Sequence, residues 1–320
     1  MNGIFELISK SETIALFGHI NCDGDAVGSV MAFRNYLSDL GKKTYVFLQK
    51  PISDNYYFME VDKYANKSNL LEYDLAISCD CPNTKRFGIY ETEFYKCKKS
   101  INIDHHPDNE NFADINIVNA KMSSACEIVY DLFRNGNVNI TPKIATCLYS
   151  GIASDTGRFI HGNMTSGTFA YAGELVKYGA DLDTLNYNLF SHMKINEFRI
   201  FQLALPKTEF YEDGKIAFIG ITQRMLDECN ADTTSTYRII DQINSIHGVE
   251  IAVLLTQNGH NENMVSVRSR NKNAQRICRA FGGGGHLRAA GCRIFVPFKK
   301  AKELLIEECK RELLRWKAVL

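Results

Sequence analysis

Short apolar runs in the first half of the chain alternate with longer stretches in which apolar residues recur at helical spacing. The short runs are predicted to be buried strands, at Thr13–Phe17, Thr44–Leu48, Leu75–Cys79 and Ile101–Ile103. The longer stretches are predicted to be helices, at Ala26–Leu40, Ser124–Phe133, Ile144–Ser154 and Gly167–Tyr178. Strands that alternate with helices favour an α/β fold, in which helices cover both faces of a mostly parallel sheet.

The second half has a different pattern, which predicts a smaller α+β domain. Two apolar runs flank Glu212-Asp213-Gly214, a sequence typical of a tight hairpin turn. The predicted elements of this half are strands at Glu209–Tyr211, Lys215–Ile221, Glu250–Thr256 and Met264–Ser269, and helices at Asn273–Phe281 and Lys300–Trp316. We therefore predict a first domain over residues 1–185, a helical linker over 186–207 and a second domain over 208–320.

The composition is that of a globular protein with a sizeable interior, because 45% of the residues are apolar and 23% are charged. Lys plus Arg equals Asp plus Glu at 37 each, so no overall positive charge attracts long nucleic acid or an anionic membrane. No apolar run approaches the roughly 20 residues that span a bilayer. We expect a cytoplasmic protein without a membrane partner.

The ten cysteines form no Cys-x-x-Cys pair, so they are interpreted as buried free thiols in a reducing compartment. Cys79 and Cys81 come closest to a metal-binding pair, but packing in the core is the better interpretation. On a continuous strand, residues two apart share a face, which predicts that both thiols point away from Asp80.

Four separate segments carry carboxylates or imidazoles where strands and helices are predicted to end. The candidate residues are His19, Asp23, Asp25, Asp80, Asp104, His105, His106 and Asp155. Singly, each has an ordinary interpretation: Asp23 or Asp25 can cap the helix that follows, and Asp155 can be a turn residue. Together they predict one site, because ligands bind where the carboxyl ends of parallel strands meet.

Carboxylates gathered at one place repel one another unless a cation is bound. The set mixes carboxylate with imidazole and has no thiolate, which suits Mn²⁺ or a similar divalent ion. Six ligands are too many for one catalytic ion with open positions, whereas they fit two ions about 4 Å apart. Such a pair is typical of enzymes that hydrolyse phosphoesters.

A second candidate site lies near the C-terminus, where four consecutive glycines, Gly282 to Gly285, precede His286. Exposed backbone N–H groups in such a run can bind an anion, although a flexible loop at a helix end is the simpler alternative. Arg268, on the predicted strand Met264–Ser269, could bind a phosphate together with His286.

The motifs around His19, Asp80, Asp104-His105-His106 and Ser154-Asp155-Thr156-Gly157 resemble, in number and order, those of the DHH phosphoesterase superfamily. The C-terminal glycine run with Arg268 resembles the DHHA1 domain that accompanies it. Within that superfamily, the length and the pairing of domains resemble NrnA-type nanoRNases. The resemblance implies hydrolysis of short oligoribonucleotides to mononucleotides, together with removal of the 3′-phosphate of pAp.

The resemblance also implies a role for each site residue. One ion would be held by His19, Asp23 and Asp80, and the other by Asp25, Asp80, His105 and Asp155. Asp104 would support the motif and His106 would face the scissile phosphate, so that Asp80, Asp104 and His106 form the catalytic set. The substrate residues would be Arg268, Ser269, Gly283, Gly284, Gly285 and His286. Mn²⁺ is the expected metal, with Mg²⁺ or Co²⁺ as alternatives, and a homodimer is expected.

Other functions fit parts of the pattern. The alternatives are a phosphodiesterase for linear or cyclic dinucleotides, a manganese-dependent inorganic pyrophosphatase and a non-catalytic nucleotide sensor. The pyrophosphatase has a different C-terminal domain, and a sensor has no need for two complete metal sites. Cys22, where the superfamily motif often has proline, suggests sensitivity to oxidation.

Overall fold

A computed structural model of the chain describes residues 2–67 and 70–315. The chain forms two compact units, Met1–His192 and Met193–Leu320. The division lies within the segment 186–207, and the three predicted domain ranges stay predictions. Trp316, the predicted end of the last helix, lies outside the described residues.

The first unit is built on a parallel sheet of five strands in the order β2-β1-β3-β4-β5. The strands are β1 Thr13–Phe17, β2 Lys43–Phe47, β3 Tyr73–Cys79, β4 Cys97–Asp104 and β5 Ile115–Val118. The predicted α/β class is therefore confirmed. β5 was not predicted, because its four residues are only half-buried and carry a weak apolar pattern.

Among the described residues of the first unit, eight α-helices accompany this sheet. They are α1 Asn2–Lys10, α2 Gly24–Asp39, α3 Val61–Tyr64, α4 Glu91–Phe94, α5 Ala125–Asn135, α6 Pro142–Asp155, α7 Ser166–Lys177 and α8 Leu182–Asn186. Two 3₁₀ segments lie at Asp54–Met59 and Thr84–Tyr90, and a π-helical turn lies at Tyr187–Ser191. The four helices predicted in this half are all present, with ends that differ by one or two residues.

Both faces of the first sheet are buried, as the alternation of side chains along β1 illustrates. Ile14 and Leu16 pack into a large core with α1, α2, α5 and α6. Ala15 and Phe17 face the other way, into a smaller aromatic core that includes Phe87 of the 3₁₀ segment Thr84–Tyr90. Helical segments thus cover both faces of the sheet.

The second unit has a mixed sheet of six strands in the order β10-β11-β9-β8-β7-β6. The strands are β6 Glu209–Tyr211, β7 Ile216–Ile221, β8 Ile251–Gln257, β9 Asn263–Ser269, β10 Gly284–Gly285 and β11 Ala289–Ile294. Only β7 and β8 pair in parallel. The predicted hairpin is confirmed, with left-handed φ angles at Glu212, Asp213 and Gly214.

Up to residue 315, where the description of the second unit ends, it has five α-helices. They are α9 Ile195–Ala204, α10 Gln223–Cys229, α11 Tyr237–Asn244, α12 Ala274–Arg279 and α13 Phe298–Leu314, and 3₁₀ turns lie at Leu205–Lys207 and Thr233–Thr236. Along β7, Ile216 and Phe218 face a core that also contains residues of α12 and α13, whereas Ala217 and Ile219 face a core with α9 to α11. The smaller α+β domain is therefore confirmed.

Cys79 and Cys81 are both buried, as predicted, but the prediction that they share a face was wrong. β3 ends at Cys79, and Asp80 has a left-handed φ of 59° that breaks the alternation. Cys79 packs in the large core and Cys81 in the aromatic core on the opposite face.

Over the residues that the structure describes, no helix is long and apolar enough to cross a membrane.

Candidate metal centre

All the candidate ligands of the first unit except Asp155 lie at or after the carboxyl ends of three neighbouring parallel strands. The segment from Gly18 follows β1 and leads into α2, while Asp80 directly follows β3. Asp104 is the last residue of β4, so His105 and His106 come directly after it. Since β1, β3 and β4 are adjacent and parallel, their ends bring these groups to one edge of the sheet.

Asp80 lies at the centre of the arrangement. Its Oδ2 is 3.3 Å from Nε2 of His19, and its Oδ1 is 3.4 Å from Nε2 of His105. The residue is only 2% exposed, and Oδ1 accepts no hydrogen bond from the described residues. Burial alone would raise the pKa of Asp80, but the neighbouring His105 and His19 rings outweigh it and lower that pKa. The Asp80 carboxylate thus lies between two imidazole rings.

On the His19 side, Asp23 contributes the second carboxylate. Its Oδ1 lies 3.7 Å from Nε2 of His19 and also accepts the N–H groups of Asp25 and Ala26, at 3.0 and 3.1 Å. Asp23 is therefore the N-cap of α2 as well as a neighbour of His19. The capping role and the ligand role are compatible, because a carboxylate has two oxygens.

On the His105 side, Asp25 is fully buried and is held by the first turn of α5. Its Oδ2 accepts the Ala125 N–H at 2.6 Å and its Oδ1 accepts the Cys126 N–H at 2.8 Å, while Oδ2 lies 4.0 Å from Nε2 of His105. Burial, followed by repulsion from Asp80, raises the pKa of Asp25 to about 7. A divalent cation at this place would stabilise the ionised form.

Asp155, the last residue of α6, also lies on the His105 side of the site. Its Oδ2 lies 3.3 Å from Nε2 of His105. Burial and the charge of Asp25 raise the pKa of Asp155 well above the usual range. Two carboxylates with raised pKa values beside one imidazole indicate a cluster of negative charge that a metal ion would relieve.

His106 differs from the other two histidines because its ring is held by Asp104. Nδ1 of His106 lies 2.8 Å from Oδ1 of Asp104, whose Oδ2 accepts the Asn109 Nδ2–H at 2.6 Å. Asn109 also donates to the carbonyl oxygen of Cys81. Burial lowers the pKa of His106, but the contact with Asp104 outweighs it and raises that pKa. Asp104 therefore orients the His106 ring and favours its protonated form.

The donor set fits divalent metal ions. Two groups, each with ligand atoms within 4.8 Å of one another, meet at Asp80: His19, Asp23 and Asp80, and Asp25, Asp80 and His105. A third group joins Asp80, Asp104 and His106. Carboxylate and imidazole donors without a thiolate suit Mn²⁺, Mg²⁺ or Co²⁺, and two groups that share one carboxylate match a two-ion arrangement.

The predicted substrate residues lie together in the second unit. Arg268 on β9 pairs in register with Ala289 on β11, and β10 continues that sheet edge through Gly284 and Gly285. His286 forms the exposed turn between β10 and β11, with its N–H donating to the Ala289 carbonyl at 2.8 Å. The last two residues of the glycine run thus form one strand of a short hairpin.

Three of the predicted substrate residues already have close contacts within the second unit. A Cβ on residue 283 would lie 2.3 Å from the Gly291 carbonyl oxygen, so close packing of the hairpin requires Gly283. The Ser269 hydroxyl donates to the Lys272 carbonyl in a tight turn. Arg268 Nε lies 3.3 Å from Oδ1 of the exposed Asp241. A phosphate would compete with that carboxylate for Arg268.

Several groups at the first site were not predicted from sequence. Asn109 supports Asp104, and the start of α5 holds Asp25 through main-chain N–H groups, which no side-chain pattern reveals. Arg86, whose Nη2 lies 3.3 Å from Nδ1 of His19, was also missed. Its only sequence signal is a basic residue shortly after Asp80.

Comparisons with known proteins match both units. The sequence model described as the DHH family, N-terminal domain, matches residues 13–152, and that of the DHHA1 domain matches residues 218–313. A Bacillus subtilis (strain 168) protein named bifunctional oligoribonuclease and PAP phosphatase NrnA is 27% identical over 298 residues, which cover 91% of this chain and 92% of that protein.

Solved structures agree on the fold. An exopolyphosphatase-related protein from Bacteroides fragilis superposes with a TM-score of 0.87 at 22% identity, covering 97% of this chain and 95% of the other. RecJ from Thermus thermophilus, solved in complex with Mn²⁺, superposes with a TM-score of 0.55 at 14% identity, covering 97% of this chain and 54% of RecJ.

Proposed function

The chain belongs to the DHH/DHHA1 family of phosphoesterases, hydrolases of phosphoester bonds, and from that premise we propose that it uses two Mn²⁺ ions to hydrolyse short oligoribonucleotides. One ion would be held by His19, Asp23 and Asp80, and the other by Asp25, Asp80, His105 and Asp155. The observation that carries this proposal is the buried Asp80 carboxylate, whose two oxygens face His19 and His105 at 3.3 and 3.4 Å.

The proposed substrates are pApA-like dinucleotides and pAp, and both need the same bond broken. In pApA, water adds to the linking phosphorus and the bond to the 3′ oxygen breaks, which releases two molecules of AMP once that oxygen takes up a proton. In pAp, the same attack on the 3′-phosphate yields AMP and inorganic phosphate. The name of the Bacillus subtilis relative includes both activities and supports this pair of reactions.

The two ions would supply an activated water and neutralise charge on the phosphoryl oxygens. The protein's own groups hold the reacting phosphate. His106, kept in orientation by Asp104 through its Nδ1, presents Nε2 as a donor to a phosphoryl oxygen on which charge develops. In the second unit, Arg268 and the hairpin Gly283–His286 are proposed to bind a phosphate group.

The DHHA1 match argues against the pyrophosphatase alternative, since that enzyme has a different C-terminal domain. The neutral overall charge argues against long nucleic acid as substrate. A cytoplasmic location and a homodimer stay predictions.

A substrate panel tests the proposal. Wild type with Mn²⁺ is offered pyrophosphate, pAp, pApA, cyclic di-AMP and a 24-mer RNA, and products are separated by chromatography. We expect pApA and pAp to be hydrolysed faster than the other three. A variant with Asp104, His105 and His106 changed to alanine is expected to lose turnover of every substrate.

The other outcomes identify the alternatives. Preference for pyrophosphate would contradict the assignment of the second domain, and preference for cyclic di-AMP would favour the dinucleotide phosphodiesterase. Binding of AMP without turnover of any substrate would favour the nucleotide sensor.

A further inference from the structure

Arg86 lies beside the metal centre and has no part in the mechanism above. Its guanidinium Nη2 is 3.3 Å from Nδ1 of His19, and its side chain is only partly exposed. Within residues 2–67 and 70–315, no carboxylate lies within ion-pair distance of Arg86. A partly buried arginine without a carboxylate partner, at the edge of a phosphoesterase site, is a candidate for binding an anion.

The backbone around Arg86 is fixed from both sides. The Arg86 carbonyl accepts the Ile20 N–H at 2.6 Å, which joins the 3₁₀ segment Thr84–Tyr90 to the turn that carries His19. The next residue, Phe87, is 1% exposed and packs against Phe17, with ring centroids 5.2 Å apart. Arg86 therefore reaches the metal centre from a rigid support.

The turn that follows adds to this rigidity. Gly88 adopts a left-handed φ of 60°, and a Cβ there would lie 1.8 Å from Oε1 of Gln49. The same Gln49 oxygen accepts the Ile89 N–H at 3.0 Å. The main chain on both sides of Arg86 is thus held, which reduces the entropy lost when its side chain binds a ligand.

The tautomer of His19 decides what Arg86 can bind. A histidine that ligates a metal through Nε2 carries its proton on Nδ1, and Nδ1 of His19 then donates to the Ile20 carbonyl at 2.7 Å. In that tautomer Nδ1 offers no lone pair to Arg86. The guanidinium would be left facing the site without an acceptor.

We propose that Arg86 donates hydrogen bonds to the phosphate group at the His19 side of the centre, first in the substrate and then in the product. This inference rests on the proposed function. The ligand class is a phosphate monoester or diester oxygen, which a planar guanidinium can contact with two N–H groups. Arg86 is thereby distinct from Arg268, which serves a phosphate in the second unit.

Calorimetric titration of the Mn²⁺-loaded full-length protein with inorganic phosphate tests this role without any need for turnover. Arg86→Gln is expected to raise the dissociation constant for phosphate by about 10- to 100-fold, the value of one or two charge-assisted hydrogen bonds. Its dissociation constant for Mn²⁺ should stay within about twofold of wild type, because Arg86 is not a ligand. Arg86→Lys, which keeps the charge, should lie between the two.

The neighbouring Lys85 gives the matched control, because it is an exposed cation in the same segment. Lys85→Gln should leave both dissociation constants unchanged. Unchanged phosphate binding in Arg86→Gln would overturn the proposal. A parallel loss of Mn²⁺ and phosphate affinity would also overturn it, since Arg86 would then act by positioning His19.

The two proposals fail in different ways. If wild type binds phosphate through Arg86 but the substrate panel shows no hydrolysis, the proposed function fails and phosphate binding by Arg86 stands. If wild type hydrolyses pApA and Arg86→Gln binds phosphate normally, the role of Arg86 fails alone. Wild type that binds Mn²⁺ but no phosphate would overturn the Arg86 proposal.

Discussion

At the residue scale, the site depends on a few atoms whose surroundings fix what each can do. The His105 ring faces Asp80, whereas the His106 ring is held by Asp104, so neighbouring residues of one short motif have different roles. The sequence shows which residue types converge at the strand ends. It does not show the groups that hold these residues in place. Asn109 and the N–H groups of Ala125 and Cys126 have no distinctive pattern of spacing.

Asp104→Asn should separate orientation from metal binding. His106 and Asn109 contact different oxygens of Asp104, and an asparagine has only one oxygen, so one of them loses its partner. We expect kcat for pApA to fall by about 10- to 100-fold, with a smaller change in Mn²⁺ affinity. Steady-state kinetics and metal titration measure the two effects. Asp108→Asn, an exposed acid in the same loop, should change neither.

Cys22→Ser should leave activity and peroxide sensitivity as in wild type. Burial raises the pKa of Cys22 to about 11, so the reactive thiolate is scarce at neutral pH. This opposes the expectation that Cys22 makes the protein sensitive to oxidation. Residual turnover of pApA after graded peroxide treatment is the measurement, and protection by the substitution would contradict the burial argument.

At the scale of elements, the apolar pattern predicted the strands that carry the ligands but not the irregular segments between them. β1 agrees residue for residue, because an uninterrupted buried run has clear ends. The 3₁₀ segment Thr84–Tyr90 has no periodic pattern and turns sharply at Gly88, so the position of Arg86 was hidden. The hairpin of β10 and β11 was hidden for a similar reason, since glycines carry no strand signal.

The close approach of α2 and α6 sets the places of Asp25 and Asp155. A Cβ on residue 28 of α2 would lie 2.5 Å from the Cys147 carbonyl oxygen of α6, so the two helices would have to separate. We expect Gly28→Ala to lower the free energy of unfolding by about 1–3 kcal/mol and to weaken Mn²⁺ binding. Chemical denaturation and metal titration measure these losses.

Gly173→Ala is the matched control for that substitution. Gly173 also lies in a helix, α7, but nothing lies within 4 Å of a Cβ built there. Alanine should stabilise this helix by up to about 1 kcal/mol and leave Mn²⁺ binding unchanged. Equal effects of the two substitutions would show that helix spacing does not position the ligands.

Asp74, on β3, uses its carboxylate to bind main-chain N–H groups at the start of β1 and the side chain of Lys98. Its Oδ2 accepts the N–H groups of Glu12 and Thr13 at 3.1 and 3.0 Å, and its Oδ1 lies 3.0 Å from Lys98 Nζ. The Thr13 N–H, followed by Lys98, lowers the pKa of Asp74 in the folded protein. The stabilisation is therefore present above the unfolded pKa of roughly 3.9 and is lost as the pH falls towards the lower folded value.

Asp74→Asn is expected to lower the free energy of unfolding by about 1–2 kcal/mol at pH 7. The difference from wild type should shrink as the pH falls below about 4. Urea denaturation at pH values from 3 to 7 measures this difference in the free energy of unfolding. The control is Asp62→Asn, because Asp62 is exposed. A difference independent of pH would mean that charge has no part in this contact.

At the scale of the whole molecule, the chain divides two kinds of chemistry between two separately built units. All the proposed metal ligands belong to the first unit, and all the predicted substrate residues of the glycine hairpin belong to the second. Each unit has its own buried cores on both faces of its own sheet. The sequence predicted this division because the two halves have different patterns of strands and helices.

The most direct measurement is the rate of AMP release from pApA by Mn²⁺-loaded wild type and by Asp80→Asn, a substitution that removes charge at nearly constant volume. We predict steady release by wild type and a rate lower by at least about 1000-fold in the variant, because both proposed metal positions share that carboxylate. Absence of AMP release by the wild type, or a loss of less than about tenfold in Asp80→Asn, would contradict a phosphoesterase centre joined at Asp80.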